Sequence, residues 1–211
     1  LDSLEQKLQQ AMNHSNGSDL QKPPGPVHLN FPFDTPLLPD DLQEIRQHKF
    51  SFKSSKRKEI NAANMQIFNK AAKPLIVAGP MEEDFHQEYI IRFAEKIHAP
   101  ILADPLSQIR YGYNSKHILA HYDHFLQIVD IQPDLVIRFG RKPTSKILCQ
   151  LLSKWNMQTY FIDYWQQYND DCPNFIQASI DAFCQKQISE IGWKGESEWT
   201  NFLFSFEAEV D

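Results

Sequence analysis

The chain has no long apolar run, no excess of positive charge and no closely spaced cysteine pair, and each absence removes a class of function. No apolar stretch reaches the roughly 20 residues a membrane-spanning helix needs, and the opening LDSLEQKLQQ does not read as a secretion signal. A net charge of -6 and a pI near 5.7 give no electrostatic footprint for nucleic acid or an anionic membrane surface. The three cysteines, Cys149, Cys172 and Cys184, are odd in number and form no CxxC pair, which fits a reduced, cytoplasmic protein. Asn16-Gly17-Ser18 matches a glycosylation sequon, but without a secretion signal it reads as a chance match in a loop. No GxGxxG is present, and Gly79, Gly112 and Gly140 stand alone, so a tight dinucleotide pyrophosphate turn is not supported.

What is present is a soluble globular composition, 42% hydrophobic and 23% charged over 211 residues. A chain of this length can bury roughly 70% of its unfolded surface. Apolar residues at Leu4, Leu8, Ala11 and Met12 predict an opening helix that Asn13–Ser18 ends. The run GPVHLNFPFDTPL, Gly25 to Leu37, follows. Pro26 and Pro32 deny it a helix, and Val27, Leu29 and Phe31 alternate as in a strand with one buried face. Helix and strand together read as the tail of an upstream domain, so the chain is expected to be a piece of something longer. A Pro-rich linker and a polar, basic stretch lead to a helical segment at Lys58–Lys73.

From Pro74 the pattern changes. PLIVAG (74–79), PILAD (100–104), LVIRFG (135–140), TYFIDY (159–164) and NFIQA (174–178) read as buried strands. Between and after them, helices are predicted at 84–98, 122–130, 144–155, 180–188 and 196–210. This alternation predicts an α/β fold, a Rossmann-like parallel sheet with helices on both faces. Ligands of such sheets sit beyond the carboxyl ends of the strands, so the loops at Gly79, Asp104 and Gly140 are the ones to watch.

The sharpest local feature is GRKPTSK, Gly140 to Lys146, which leaves a strand and opens a helix. Thr144 or Ser145 can cap that helix, and its N-terminal N–H groups favour an anion. Lys146 and Arg141 would add full charges, so a carboxylate or phosphate could be held here. The alternative is an ordinary capped helix with a solvated lysine. The stretch falls short of a P-loop. Ser145 stands where the second glycine belongs, and Ile147 replaces the hydroxyl residue that contacts magnesium. His117, His121 and His124, with Asp123, have a spacing that could bind zinc on one helix face. Against this, Tyr122, Phe125 and Leu126 can pack that segment as a plain polar helix end, and no cysteine supports a closed site. Glu82, Glu83 and Asp84 read as first-turn helix charges.

Four segments taken in order, GPVHLNFPFDTPL, PLIVAGPM, ILADPLSQIRYG and LVIRFGRKPTSK, resemble the SEPHCHC (2-succinyl-5-enolpyruvyl-6-hydroxy-3-cyclohexene-1-carboxylate) synthase family. These are thiamine-diphosphate enzymes of menaquinone (vitamin K2) biosynthesis. The resemblance implies a central α/β domain at 58–190. It implies the tail of a pyrimidine-binding domain at 1–31, a linker at 32–57, and a helix at 191–211 leading to a diphosphate-binding domain. It implies a transferase that decarboxylates 2-oxoglutarate and adds the product to isochorismate. Thiamine diphosphate and Mg2+ (or Mn2+) would be bound by the other domains, since neither GDG nor the segment carrying the activating glutamate occurs here. No catalytic, cofactor-binding or metal residue is then expected in this chain, which would be inactive alone. Lys146 is implied as a substrate contact, with Thr144 and Ser145 in the same turn. Many members carry an arginine after that lysine where this chain has Ile147. Arg110 and Arg141 are candidates for a carboxylate contact, or for an allosteric cleft that takes a downstream pathway acid. Whole enzymes of the family assemble as homodimers or homotetramers. Two other expectations stand beside this one: the central domain of another thiamine-diphosphate enzyme, such as the acetolactate-synthase group, and a non-catalytic anion-binding module.

Overall fold

Strand β1, Pro74–Ala78, is buried at every position, because helices cover both faces of a parallel sheet at its centre. Its computed structural model describes residues 2–17, 24–32, 70–81, 85–165 and 170–208 of the chain. Of the helix predicted at 58–73, residues 58–69 lie outside the described residues, as do most of the linker, Ser18 and the acidic triplet 82–84; residues 70–73 are described and are not helical, since they form the bend that leads into β1. The chain divides into two compact units, Leu1–Glu59 and Ile60–Asp211.

In the first unit, helix α1 runs Asp2–Ser15, three residues further than its apolar spacing predicts. Gln9 Nε2 donates to Asn13 Oδ1 at 2.9 Å, one turn on, and so holds the last turn. Gly17, with φ of 69°, then ends it. The strand expected at 25–31 is not formed. Residues 24–32 carry no strand, and Val27, Leu29 and Phe31 are 40%, 40% and 49% exposed. Alternation becomes a strand only where the backbone finds a ladder partner.

The second unit is the predicted sheet. Helix α2 is Gln87–Ile97, β2 Ile101–Ala103, β3 Ile118–Leu119, α3 Tyr122–Phe125 and β4 Leu135–Phe139. Helix α4 is Lys146–Lys154, β5 Thr159–Asp163, β6 Asn174–Gln177, α5 Ile180–Glu190 and α6 Ser197–Ala208. All pairings are parallel, in the order β3-β2-β1-β4-β5-β6. The order reverses between β1 and β4, which makes their carboxyl ends the topological switch point.

Side chains alternate across the sheet into two cores. Ile76 and Ala78 of β1 join α2 and α5, where Phe93, Phe139 and Phe183 meet edge to face at 5.8–6.5 Å between ring centres. Leu75 and Val77 join Tyr122 and Phe125 of α3, Leu148 and Leu151 of α4, and Trp199 and Leu203 of α6. Trp199 Nε1 donates to the Pro74 carbonyl at 2.9 Å, and Thr200 Oγ1 to that of His98 at 2.7 Å. Helix α6 is therefore a layer of this unit as well as the segment expected to lead onward.

Most helix ends shift by one to three residues, and two elements depart further from expectation. Helix α3 is one turn long rather than reaching Asp130, because turns take over after Phe125 and leave Ile128 82% exposed. The edge strand β3, only two residues long, gives no pattern of its own in the sequence.

Candidate carboxylate-binding cleft

The crevice where a sheet of this topology ordinarily takes its ligand is closed. Past the ends of β1 and β4 the backbones keep pairing. The Gly79 N–H donates to the Phe139 carbonyl at 2.9 Å, and the Arg141 N–H to that of Pro80 at 2.9 Å. Gly140 has φ of 73°, and a Cβ there would lie 2.6 Å from the Pro80 oxygen. The glycines that end these strands serve the close approach of two loops, not of a ligand.

The open space lies to one side, a cleft of about 360 Å³ with three walls. Pro105 and Arg110 come from the loop after β2, residues 120–124 from the start of α3, and Thr144, Ser145 and Lys146 from the turn that opens α4. This turn exists because Ser145 N-caps α4, its Oγ accepting from the Leu148 N–H at 3.1 Å.

Two carboxylates brace the walls. Asp104 is fully buried. Its Oδ2 accepts from both the N–H and the hydroxyl of Thr144, at 2.7 and 2.8 Å, while its Oδ1 accepts from the Leu106 N–H at 2.9 Å. The Ser145 hydroxyl also donates to Asp123 on α3. A third acid, Glu207 of α6, accepts from the N–H groups of Ala120 and His121 and from His121 Nδ1 at 3.0 Å. Tyr122 reaches the cleft from a buried position. Burial first, then Asp104 and Asp123, push its phenol well above the ordinary range, so it stays protonated.

The cations are placed differently. Lys146 and Arg110 line the cleft and form no ion pair among the described residues. Arg110 Nε is buried with no hydrogen-bond partner among those residues, and its guanidinium lies 5.7 Å from the centre of the exposed Tyr111 ring. The structure thus brings together four of the five candidate residues, Arg110, Thr144, Ser145 and Lys146. Arg141 does not line the cleft. Its backbone belongs to the sealed β1–β4 junction and its side chain is exposed.

The histidines do not converge. His117 is buried, donating from Nδ1 to the Ala99 carbonyl at 2.8 Å and packing edge to face on Phe204. His121 turns to Glu207, and His124 faces the cleft. Among the described residues no three His, Cys, Asp or Glu side chains are grouped to hold a metal ion. Asp104 is foreseen only as the start of a loop and Asp123 only in the zinc spacing, although an Asp-Pro step after an apolar strand is a turn signal.

A second, smaller cavity of about 80 Å³ lies under α4, lined by Arg138, Lys142, Cys149, Thr159, Asp170 and Cys172 among others. Its cations are already paired, Arg138 with Asp170 and Lys142 with Asp171, so it offers an anion little. Burial raises both thiols above their ordinary range, which suits packing rather than nucleophilic chemistry.

A family model described as "Middle domain of thiamine pyrophosphate", from the thiamine pyrophosphate (TPP) enzymes, matches residues 41–210. The chain belongs to the TPP-enzyme middle-domain family. Several curated relatives carry one name, 2-succinyl-5-enolpyruvyl-6-hydroxy-3-cyclohexene-1-carboxylate synthase. That of Bacillus pumilus is 29% identical over 92% of this chain and 36% of its own length. Those of Bacillus cytotoxicus and Haloquadratum walsbyi are each 32% identical over 84% of this chain and 33% of their own. This TPP-enzyme middle domain therefore spans about a third of the length of the curated relatives it matches. No helix among its described residues is long and apolar enough to cross a membrane.

Proposed function

We propose that the chain is the central domain of a SEPHCHC synthase, in which the whole enzyme decarboxylates 2-oxoglutarate and adds the product to isochorismate. One observation carries the role of this domain: Lys146 and Arg110 face a single cleft with no ion pair among the described residues, while Asp104 and Asp123 accept from the donors of the turn itself. Both substrates carry carboxylates, and a carboxylate is the ligand such a pair of cations holds best. Thr144 and Ser145 shape the turn that presents Lys146. Arg141 is exposed but lies outside the cleft, so the carboxylate contact proposed for it would be a separate one.

The described residues do not fit the coenzyme. The switch point is filled by backbone, no GDG occurs, and no metal-binding group of acids and histidines exists among the described residues. Thiamine diphosphate and Mg2+ (or Mn2+) belong, in this reading, to the domains on either side of the central one. Residues 1–31 are then the end of the pyrimidine-binding domain, and residues 32–57 the linker. The central domain binds and orients a carboxylate and is inactive alone. The whole enzyme is read as a cytoplasmic homodimer or homotetramer with no nucleic-acid or membrane partner.

Lys146→Ala in the full-length enzyme tests this, with isochorismate and 2-oxoglutarate varied separately. A charge-assisted hydrogen bond is worth about 1.5–3 kcal/mol, so kcat/KM for one substrate should fall about tenfold or more. Unchanged kinetics for both would overturn the assignment and leave the domain a scaffold. Arg110, its guanidinium 5.7 Å from the centre of the exposed Tyr111 ring, is also the proposed contact for a downstream pathway acid acting as a feedback inhibitor. Arg110→Glu with inhibition unchanged would rule that out.

A further inference from the structure

We infer that Asp104 is a positioning residue. Its buried carboxylate fixes the turn bearing Lys146 against the loop bearing Arg110, and so sets the spacing at which the two cations take one carboxylated ligand. The inference rests on reading the cleft as a carboxylate subsite.

The geometry argues for more than a local turn. An acid that only closed the bend after β2 would need a single bond, the one from Leu106 N–H to Oδ1. Asp104 makes two more, to a residue 40 positions away, and both use Oδ2. It is fully buried and held from both sides. The flanking backbone is tied as firmly. Asp104 N–H donates to the Ala78 carbonyl at 2.9 Å, and Ser107 N–H to that of Asp104 at 2.9 Å. A carboxylate so held cannot swing, so whatever it grips is registered to the sheet. What it grips is Thr144, two residues before Lys146.

The neighbouring residue does the same for the third wall. Ser145 caps α4 with its lone pair and gives its proton to Asp123. Adjacent hydroxyls thus engage two different acids, one on each side of the cleft. Asp104 turns both oxygens, and Asp123 one, to the protein's own donors, and neither pairs with Lys146 among the described residues. Lys146 thus lines the cleft with no ion pair among those residues, which is what a ligand-binding cation requires and an ordinary capped helix does not.

Substitution separates the bonds. Thr144→Val removes the hydroxyl bond and keeps the N–H bond. Thr144→Ser keeps both. Asp104→Asn replaces one acceptor oxygen by a donor, so either Leu106 N–H or Thr144 N–H is left facing an N–H group. The test measures kcat and KM for each carboxylate substrate in the full-length enzyme carrying each change, with thermal melting as the control for folding. Loss of one hydrogen bond predicts a KM raised about three- to tenfold for the substrate that Lys146 contacts, with kcat little changed. Thr144→Ser should hold KM near the parent value. In a Lys146→Ala background, Thr144→Val should add nothing, because it acts through the lysine.

The outcomes are distinct. If Lys146→Ala raises KM and Thr144→Val does not, the positioning role is wrong and the carboxylate subsite stands. An additive double variant also overturns the positioning role, since the threonine would then act elsewhere. If Lys146→Ala changes nothing, the subsite itself fails, and the inference with it. If Asp104→Asn does not fold, the threonine pair still decides.

Discussion

A Cβ added to Gly79 would stand 1.9 Å from the carbonyl oxygen of Arg141. No side chain can occupy that space, so the loops after β1 and β4 meet backbone to backbone at the switch point. This contact moves the candidate site off the line of the sheet, to the cleft beside α3 and α4. It also makes Gly79 a measure of how rigid the junction is. Gly79→Ala must push two backbones apart and should cost at least the 1–3 kcal/mol or so typical of overpacking. Gly112→Ala is the control, because φ there is 86° but nothing lies within 4 Å of the new Cβ. It should cost about 1–2 kcal/mol from backbone strain alone. Urea unfolding of the two variants gives the comparison, and equal losses would mean that the junction yields.

Helix α2 ends on a residue that only glycine adopts without strain. His98 has φ of 53° and ψ of 46°, and the chain closes the helix with the Ala99 N–H on the Ala94 carbonyl at 2.9 Å. His98→Gly keeps those bonds and removes the Cβ penalty. It should stabilise the domain by about 1 kcal/mol or less, after glycine's extra entropy in the unfolded chain is set against the relief. A midpoint that moves to lower urea would show that the imidazole contributes more than its conformation costs.

Two histidines should respond to pH in opposite directions. The hydrogen bond to Asp181 at 2.6 Å, reinforced by that acid's charge, raises the pKa of His86 above the ordinary 6.5. A raised folded value means stability fully present below pH 6.5 and lost as pH climbs through the folded pKa. Burial lowers the pKa of His117. Its contribution is full above pH 6.5 and lost as pH falls through the depressed value. NMR titration of the ring protons should place His86 above His117. Asp181→Asn should draw His86 back toward the ordinary value and leave His117 where it is.

The centre of the sheet was legible because β1, β2 and β4 are buried at every position. PLIVAG, LVIRFG and TYFIDY carry enough apolar residues to be read without a partner. The edge strand Ile118–Leu119 was not legible, since two residues carry no period. Val27, Leu29 and Phe31 misled for the opposite reason, having the period but no ladder within the described structure. At the cleft, Lys146 could be read from its place at a strand-to-helix turn. The bracing acids could not, because Asp104 and Thr144 are 40 residues apart and only the folded sheet puts them in contact. Likewise the sequence places Arg141 and Lys146 on one turn, yet the β1–β4 contact turns the first away from the cleft.

Arg138 is the one charged residue inside the buried strand LVIRF, and its partner shows what such a residue demands. It pairs with Asp170, both side chains being almost fully buried at 3% and 2% exposure, and its guanidinium lies 4.2 Å from the centre of the Phe161 ring. Taking two charges out of water costs several kcal/mol each, and their attraction roughly repays it. The pair therefore adds little net stability, but removing one partner leaves the other charge buried and alone. Asp170→Ala should cost about 3–5 kcal/mol, whereas the double change Arg138→Met with Asp170→Leu should recover most of that loss. Urea unfolding of the three proteins checks it. If the double variant is no more stable than the single one, the ion pair is itself what holds the 170–172 segment to the sheet. If it recovers, the pair's value lies in fixing where that segment docks rather than in how strongly.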